Sequence, residues 1–237
     1  MATSHIYSVF DDELQHLSRG IAEMGGMAEQ MVSDSIRALV TSDAALAQRV
    51  ISQDVVVDQA ERDIGDNAIL MIAKRQPVAS DLREIIGSIR IAADLERVGD
   101  LGKSNAKRVI AVQSSGIPRP LARGIEHLSE LALSQLKDVL DVYSTRSPEK
   151  AEAIRARDGE IDAMYTSLFR EMLTYMMEDP RNITSCTHLL FCAKNIERIG
   201  DHATNIAETI YYMKTGEQPA GERLKEDTTA SYVQPAE

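Results

Sequence analysis

The sequence predicts an all-α protein made of two tandem, sequence-related three-helix bundles, six long antiparallel helices in total. Three observations lead there. Aromatic residues are scarce, with three Phe and no Trp among 237 residues, while Pro and Gly are few and Ala, Leu, Ile, Glu and Arg abound, a composition that favours helix. Apolar residues recur at helical spacing over segments of about thirty residues, each closed by a proline or a capping signal. The heptapeptide DLERVGD at 94–100 also returns as NIERIGD at 195–201, which marks an internal repeat.

The helices can be placed in order. The first runs from about Asp11 to Thr41, opening on Asp11, Asp12 and Glu13, a charge that suits a helix N-terminus. Ser42 or Asp43 caps a second, which ends before Pro77 because the residue before proline disfavours the helical region. Ser80 or Asp81 opens a third, to about Gln113. SSGIPRP (114–120) then breaks the chain with one Gly and two Pro, and is the expected boundary between halves. A fourth helix covers about 121–145. Ser147 with Pro148 starts a fifth, to about Glu178, and Asp179 with Pro180 starts a sixth, to about Lys214. The expected organisation is a first repeat over 5–113, a linker over 114–120, a second repeat over 121–215 and a polar, disordered tail over 216–237.

The formal net charge is −11, which argues against binding nucleic acid or an anionic lipid surface through general electrostatics. Cys186 and Cys192 lie six apart, on different faces of a helix, so they read as buried core thiols of a reducing compartment and not as a disulfide or a CxxC site. No signal peptide is visible in the first thirty residues, and no run approaches eighteen apolar residues. A cytoplasmic protein with no direct membrane insertion is the expectation.

The carboxylates carry the chemistry. On the third helix Leu82, Ile85, Ile86, Ile89, Ala92 and Ala93 form an apolar stripe, and helical spacing sets Glu96 and Asp100 at its centre. On the sixth, Ile183, Cys186, Leu190 and Ala193 lead to Glu197 and Asp201. The second helix adds Asp54 and Asp58, on the side of Val50, Ile51, Gly65, Ile69 and Ile72; the fifth adds Asp158 and Asp162, on the side of Ile154, Ile161, Tyr165 and Met172. Four carboxylates per half cannot line an apolar seam bare. Three escapes exist: Arg or Lys partners, protonation, or multivalent cations bridged by these hard oxygens.

With 37 acidic residues, chance alone yields roughly five or six acid pairs at this spacing, so one pair means little. Repetition across halves and placement on the apolar side give the four pairs weight. Gly99 and Gly200, each one residue before the aspartate, cost helix stability and so point to a close approach of backbones. Glu13 with His16 is a lone Glu-x-x-His and reads as incidental. His202, beside Asp201, suits a supporting position better than a ligand position. Arg97 and Arg198 point away from the acids, and Lys74, Arg75, Lys103, Lys107 and Arg108 form local basic spots. Met172, Met176 and Met177 read as core filler. No GxxxxGK[ST], GxGxxG or GxSxG motif is present.

The two heptapeptides, together with RQPVASDLREIIGSIRIAADLERVGD (75–100) and GDHATNIAE (200–208), resemble the PhoU family over about residues 5–215. The resemblance implies two similar three-helix bundles. It also implies multinuclear metal clusters, iron or zinc first and manganese or magnesium as alternatives, held by Asp54 with Asp58, Glu96 with Asp100, Asp158 with Asp162, and Glu197 with Asp201. It further implies a regulator without catalytic activity that acts with the ATPase of the phosphate-specific ABC transporter and with a membrane sensor histidine kinase, holding the phosphate-starvation response off and restraining uptake. A homodimer is expected from the exposed faces of long bundles. LGKSNAK (101–107) stands where the second half has HATNIAE, with Ser104 opposite Asn205, a departure that weakens the first-half site. Two other readings compete: a carboxylate-bridged metalloenzyme acting on a phosphate compound, and a metal-free interaction protein whose acids form interhelical salt bridges.

Overall fold

A computed structural model describes residues 2–113 and 117–221, with side chains from Phe10 onward. The described residues form α1 (Ala2–Thr41), α2 (Ala44–Arg75), α3 (Ala79–Val112), α4 (Arg119–Thr145), α5 (Pro148–Ala156), α6 (Asp158–Glu178) and α7 (Ile183–Thr215), with a short 3₁₀ turn over Pro180–Asn182. Helices α1 to α3 pack together as one bundle. Helices α4 to α7 form the second, in which α5 and α6 share the place of one long helix. The bundles meet through α3 against α7 and α1 against α4, so the third helix of each repeat lies in the middle of the molecule.

Several boundaries follow from local chemistry. The Asp43 carboxylate accepts the Leu46 N–H at 2.9 Å and caps α2; the Ser147 hydroxyl accepts the Lys150 N–H at 3.3 Å and caps α5. Such side chains satisfy amide donors that have no partner within the helix. Gly216 ends α7 at φ 78°, a left-handed cap natural to glycine. The first helix reaches back to Ala2, well beyond the acidic opening read from sequence. The expected disordered tail lies, from residue 222 on, outside the described residues, as do 114–116 of the linker.

The expected fifth helix is broken. At Arg157 (φ −90°, ψ −3°) the chain makes a tight turn, with its N–H bonded to the Ile154 carbonyl at 3.1 Å and its carbonyl accepting the Glu160 N–H at 3.1 Å. These three-residue spacings replace the α-helical ladder for one turn. The break makes Asp158 the first residue of α6, where it lies buried.

The core runs continuously through both bundles, from Leu17, Ile21 and Met24 to Ile206 and Ile210. Gly99 and Gly200 lie at close helix contacts: a Cβ at Gly99 would meet Val57 Cγ1 at 3.3 Å, and one at Gly200 would meet Ile161 Cδ1 at 2.7 Å. Both glycines therefore bring the third helix of a repeat onto its second, but against side chains and not, as the sequence suggests, against backbone. Arg146, just after α4, donates to Glu84 of α3 at 2.6 Å and stacks on Tyr143, whose hydroxyl lies 3.2 Å from the Ser88 hydroxyl. This polar pin ties the two bundles. Cys186 and Cys192 are buried free thiols, and burial pushes the Cys192 thiol up to about 12, where it packs as a small apolar group.

Candidate metal centre: two carboxylate sets at equivalent places

The apolar stripes position the acids, with one correction. On α3 the buried residues include Ile85, Ser88, Ile91, Ala92, Leu95 and Val98, while Leu82 is exposed. The stripe is rotated from the one read in sequence because α3 packs against α1, α2 and α7 at once. Glu96 and Asp100 consequently sit at its flank, half-buried. On α2 the buried side holds Val50, Asp54, Val57, Ile64, Ala68 and Met71, and Ile69 faces outward. In the second half Asp162 and Glu197 lie deeper than Asp58 and Glu96, while Asp201 is half-buried like Asp100. Glu197 is 4% exposed, and Asp158 and Asp162 are equally buried.

In the first half, one ammonium organises the set. Lys103, one turn beyond Asp100, makes a short salt bridge to Asp54 Oδ2 and lies 3.7 Å from Asp100 Oδ1. Its pKa is raised, first by the hydrogen bond to Asp54. The charges of Asp100 and Asp58 add to this rise. Arg97 curls back, with Nε 3.5 Å from Glu96 Oε2 and Nη1 3.4 Å from Asp100 Oδ2. Glu96 nonetheless has a raised pKa, mainly from burial, with Asp100 and Asp58 adding to it and Arg97 opposing.

The second half is built otherwise. Aligning DLERVGDLGKSNAK (94–107) with NIERIGDHATNIAE (195–208) sets Thr204 where the first half has Lys103. The Thr204 hydroxyl donates to Asp158 Oδ1 at 2.8 Å and accepts from Gln135 Nε2 at 2.8 Å. Thus Thr204 serves Asp158 as Lys103 serves Asp54, but brings no charge. Lys194 reaches Glu197 Oε1 at 2.8 Å from the preceding turn and lies over the Tyr165 ring. The other oxygen, Oε2, is buried with no hydrogen-bond partner. Burial raises the Glu197 pKa; the Lys194 hydrogen bond opposes this, and Asp201 and Asp162 add to it.

The first-half set adjoins a cleft between the bundles. A cavity of about 350 Å³ between α3 and α7 is lined by Arg97, Asp100, Lys103, Lys107, Asn195 and Arg198. Asn195 donates to Ser104 at 3.1 Å and to Asn105 at 2.9 Å, and His202 Nδ1 lies 2.8 Å from Asp94 Oδ1 across the same interface. His202 therefore joins the halves. Sequence reasoning missed Lys103, Lys194, Thr204 and Gln135. The signal for the lysines was present: each lies three residues from an acid of the motif, on the same helix face.

An orphaned buried carboxylate oxygen costs free energy until a donor or cation meets it. Glu197 Oε2 with Asp158, Asp162 and Asp201 therefore suits a hard cation in its donor chemistry. Among the described residues no three His, Cys, Asp or Glu side chains are gathered closely enough to clasp an ion, so holding one requires these carboxylates to draw together.

The PhoU domain profile matches residues 21–109 and again 125–210, once over each set. The chain belongs to the PhoU family. It is 76% identical over 231 residues, 98% of both chains, to the phosphate-specific transport system accessory protein PhoU homolog of Rhizobium meliloti (strain 1021). It is 45% identical over 225 residues to the homolog of the same description from Caulobacter vibrioides, covering 95% of this chain and 98% of that one. The crystal structure of PhoU from Pseudomonas aeruginosa superposes with a TM-score of 0.84 at 35% identity, covering 88% of this chain and all of that one. The PhoU structure from Streptococcus pneumoniae, a phosphate transport system regulatory protein, gives 0.82 at 29%, over 89% of this chain and 99% of that one. The architecture of two three-helix repeats is thus that of PhoU, as the sequence predicts.

Proposed function

We propose that this chain is a non-enzymatic cytoplasmic regulator of phosphate transport, an adaptor between the ATPase of the phosphate-specific ABC transporter and a membrane sensor histidine kinase. It represses the phosphate-starvation response when phosphate is plentiful and restrains uptake. The observation that carries this reading is the near full-length identity of 76% with a protein named as an accessory of that transport system. Two further features support it: no described helix is long and apolar enough to cross a membrane, and the sequence shows no nucleotide-binding or acyl-transfer motif. An adaptor must then reach membrane proteins through protein contacts, and a homodimer would present two copies of each docking face.

The metal part of the proposal centres on Asp158, Asp162, Glu197 and Asp201, which would hold an iron or zinc cluster, or manganese or magnesium. Bound there, a cation supplies positive charge between α6 and α7. The protein's own side chains do the rest: Thr204 and Gln135 fix Asp158, and Lys194 holds one oxygen of Glu197.

A deletion strain tests the regulatory role. Expression of phosphate-scavenging genes in high phosphate should rise without this protein and fall again when it is restored. Unchanged expression rejects the proposal. The transporter ATPase or the kinase should co-purify with the protein from cells grown in high phosphate.

A further inference from the structure

We propose that Lys103 is the resident cation of the first-half carboxylate set, so that metal enters the second-half set alone. The inference rests on the metal reading above and deepens it by assigning the ion to one of two otherwise equivalent places. It starts from one exchange between aligned positions. Lys103 and Thr204 contact the equivalent aspartates, Asp54 and Asp158, yet only the lysine brings a charge.

The consequences differ atom by atom. In the first half the Lys103 ammonium takes Asp54 Oδ2 and approaches Asp100 Oδ1, while Arg97 approaches Glu96 and Asp100. Among the described residues, no oxygen of Asp54, Asp58, Glu96 or Asp100 is left both buried and unpartnered. An ammonium has no lone pair to offer a metal, and at this range it repels an incoming dication and covers the oxygens that would bind it. In the second half Lys194 neutralises one oxygen of Glu197, and the other stays buried without a partner. The Lys194 side chain is 40% exposed against 27% for Lys103; it lies at the rim of its set, so solvent weakens its opposition to a second cation.

Arg198 strengthens the contrast. It is the counterpart of Arg97, but it lines the cleft beside Lys103 and Lys107. Both motif arginines therefore border the first-half set, and positive charge accumulates on that side of the α3–α7 interface.

The test uses the full chain, stripped of metal and titrated with zinc alone, with content after dialysis measured by elemental analysis. Glu197→Gln should weaken wild-type zinc binding at least about ten-fold. Lys103→Thr, which copies the second-half residue, should roughly double zinc content, and adding Glu96→Gln to it should remove that gain. Circular dichroism and melting curves verify that each variant is folded; if Lys103→Thr is not, Lys103→Gln makes the same comparison. No gain in either Lys103 variant, or wild-type zinc that survives Glu197→Gln, overturns the role of Lys103 while the metal reading stands. Zinc on none of the proteins overturns the metal reading itself.

Discussion

The first half of the molecule sets two cationic side chains of its own, Lys103 and Arg97, against four carboxylates on α2 and α3. The second half buries three of its four and leaves one oxygen of Glu197 without a partner. Both use the same devices: an acid pair on the second helix, an acid pair on the third, and a glycine that brings the two helices together. The difference arises from two exchanged positions, Lys103 against Thr204 and Ala93 against Lys194, and from the break at Arg157 that starts α6 on a buried Asp158. Duplicated sites can thus keep their carboxylates and diverge in what balances them. The identity of the acids alone does not define a metal site.

The contrast can be broken first at the lysines. In metal-free buffer, Lys103→Ala strands Asp54 without its cation and should cost about 2 kcal/mol by chemical denaturation, less than a fully buried pair because the lysine is partly solvated. Lys194→Ala, which removes a rim contact, should cost about half as much. Equal losses would mean that the two lysines do the same job.

A smaller effect should come from the polar chain that replaces the lysine. Thr204→Val keeps the shape but removes the hydroxyl between Gln135 and Asp158, and should cost about 1 kcal/mol. Added zinc should restore part of that loss if the carboxylate set takes the ion, since a ligand that binds only the folded state stabilises it. No recovery on zinc addition would count against an ion at Asp158.

The smallest effect concerns the far end of the second helix, where the first half has Arg75 and the second has Glu178. Hydrogen bonds from the Arg75 guanidinium at 2.9 Å hold the Glu13 carboxyl below its ordinary range, against the opposing effect of burial. A carboxylate with a lowered folded-state pKa adds stability above its unfolded value, and that stability is lost as pH falls through the lowered one. Arg75→Gln should therefore slightly flatten acid unfolding below the usual carboxylate range. An unchanged acid limb would show that the pair adds nothing.

Much of this was legible in the sequence. The two repeats, the caps at Asp43 and Ser147 and the close contacts at Gly99 and Gly200 followed from spacing, because helical periodicity and capping are local rules. The burial of Glu197 was legible for the same reason. What escaped were features set by packing between helices. The stripe of α3 turned because three helices press on it, which exposed Leu82 and drew Glu96 toward the flank. The turn at Arg157 has no proline to announce it. Lys103 read as a surface charge because its partner Asp54 lies on another helix, 49 residues earlier.

Anomalous diffraction at the zinc edge, from crystals of the full chain grown with zinc, tests the central contrast most directly. The expected map has its peaks among Asp158, Asp162, Glu197 and Asp201, with Lys103 still on Asp54 and no peak beside it. Peaks of equal height in both sets, or a peak beside Asp54 alone, would contradict the account.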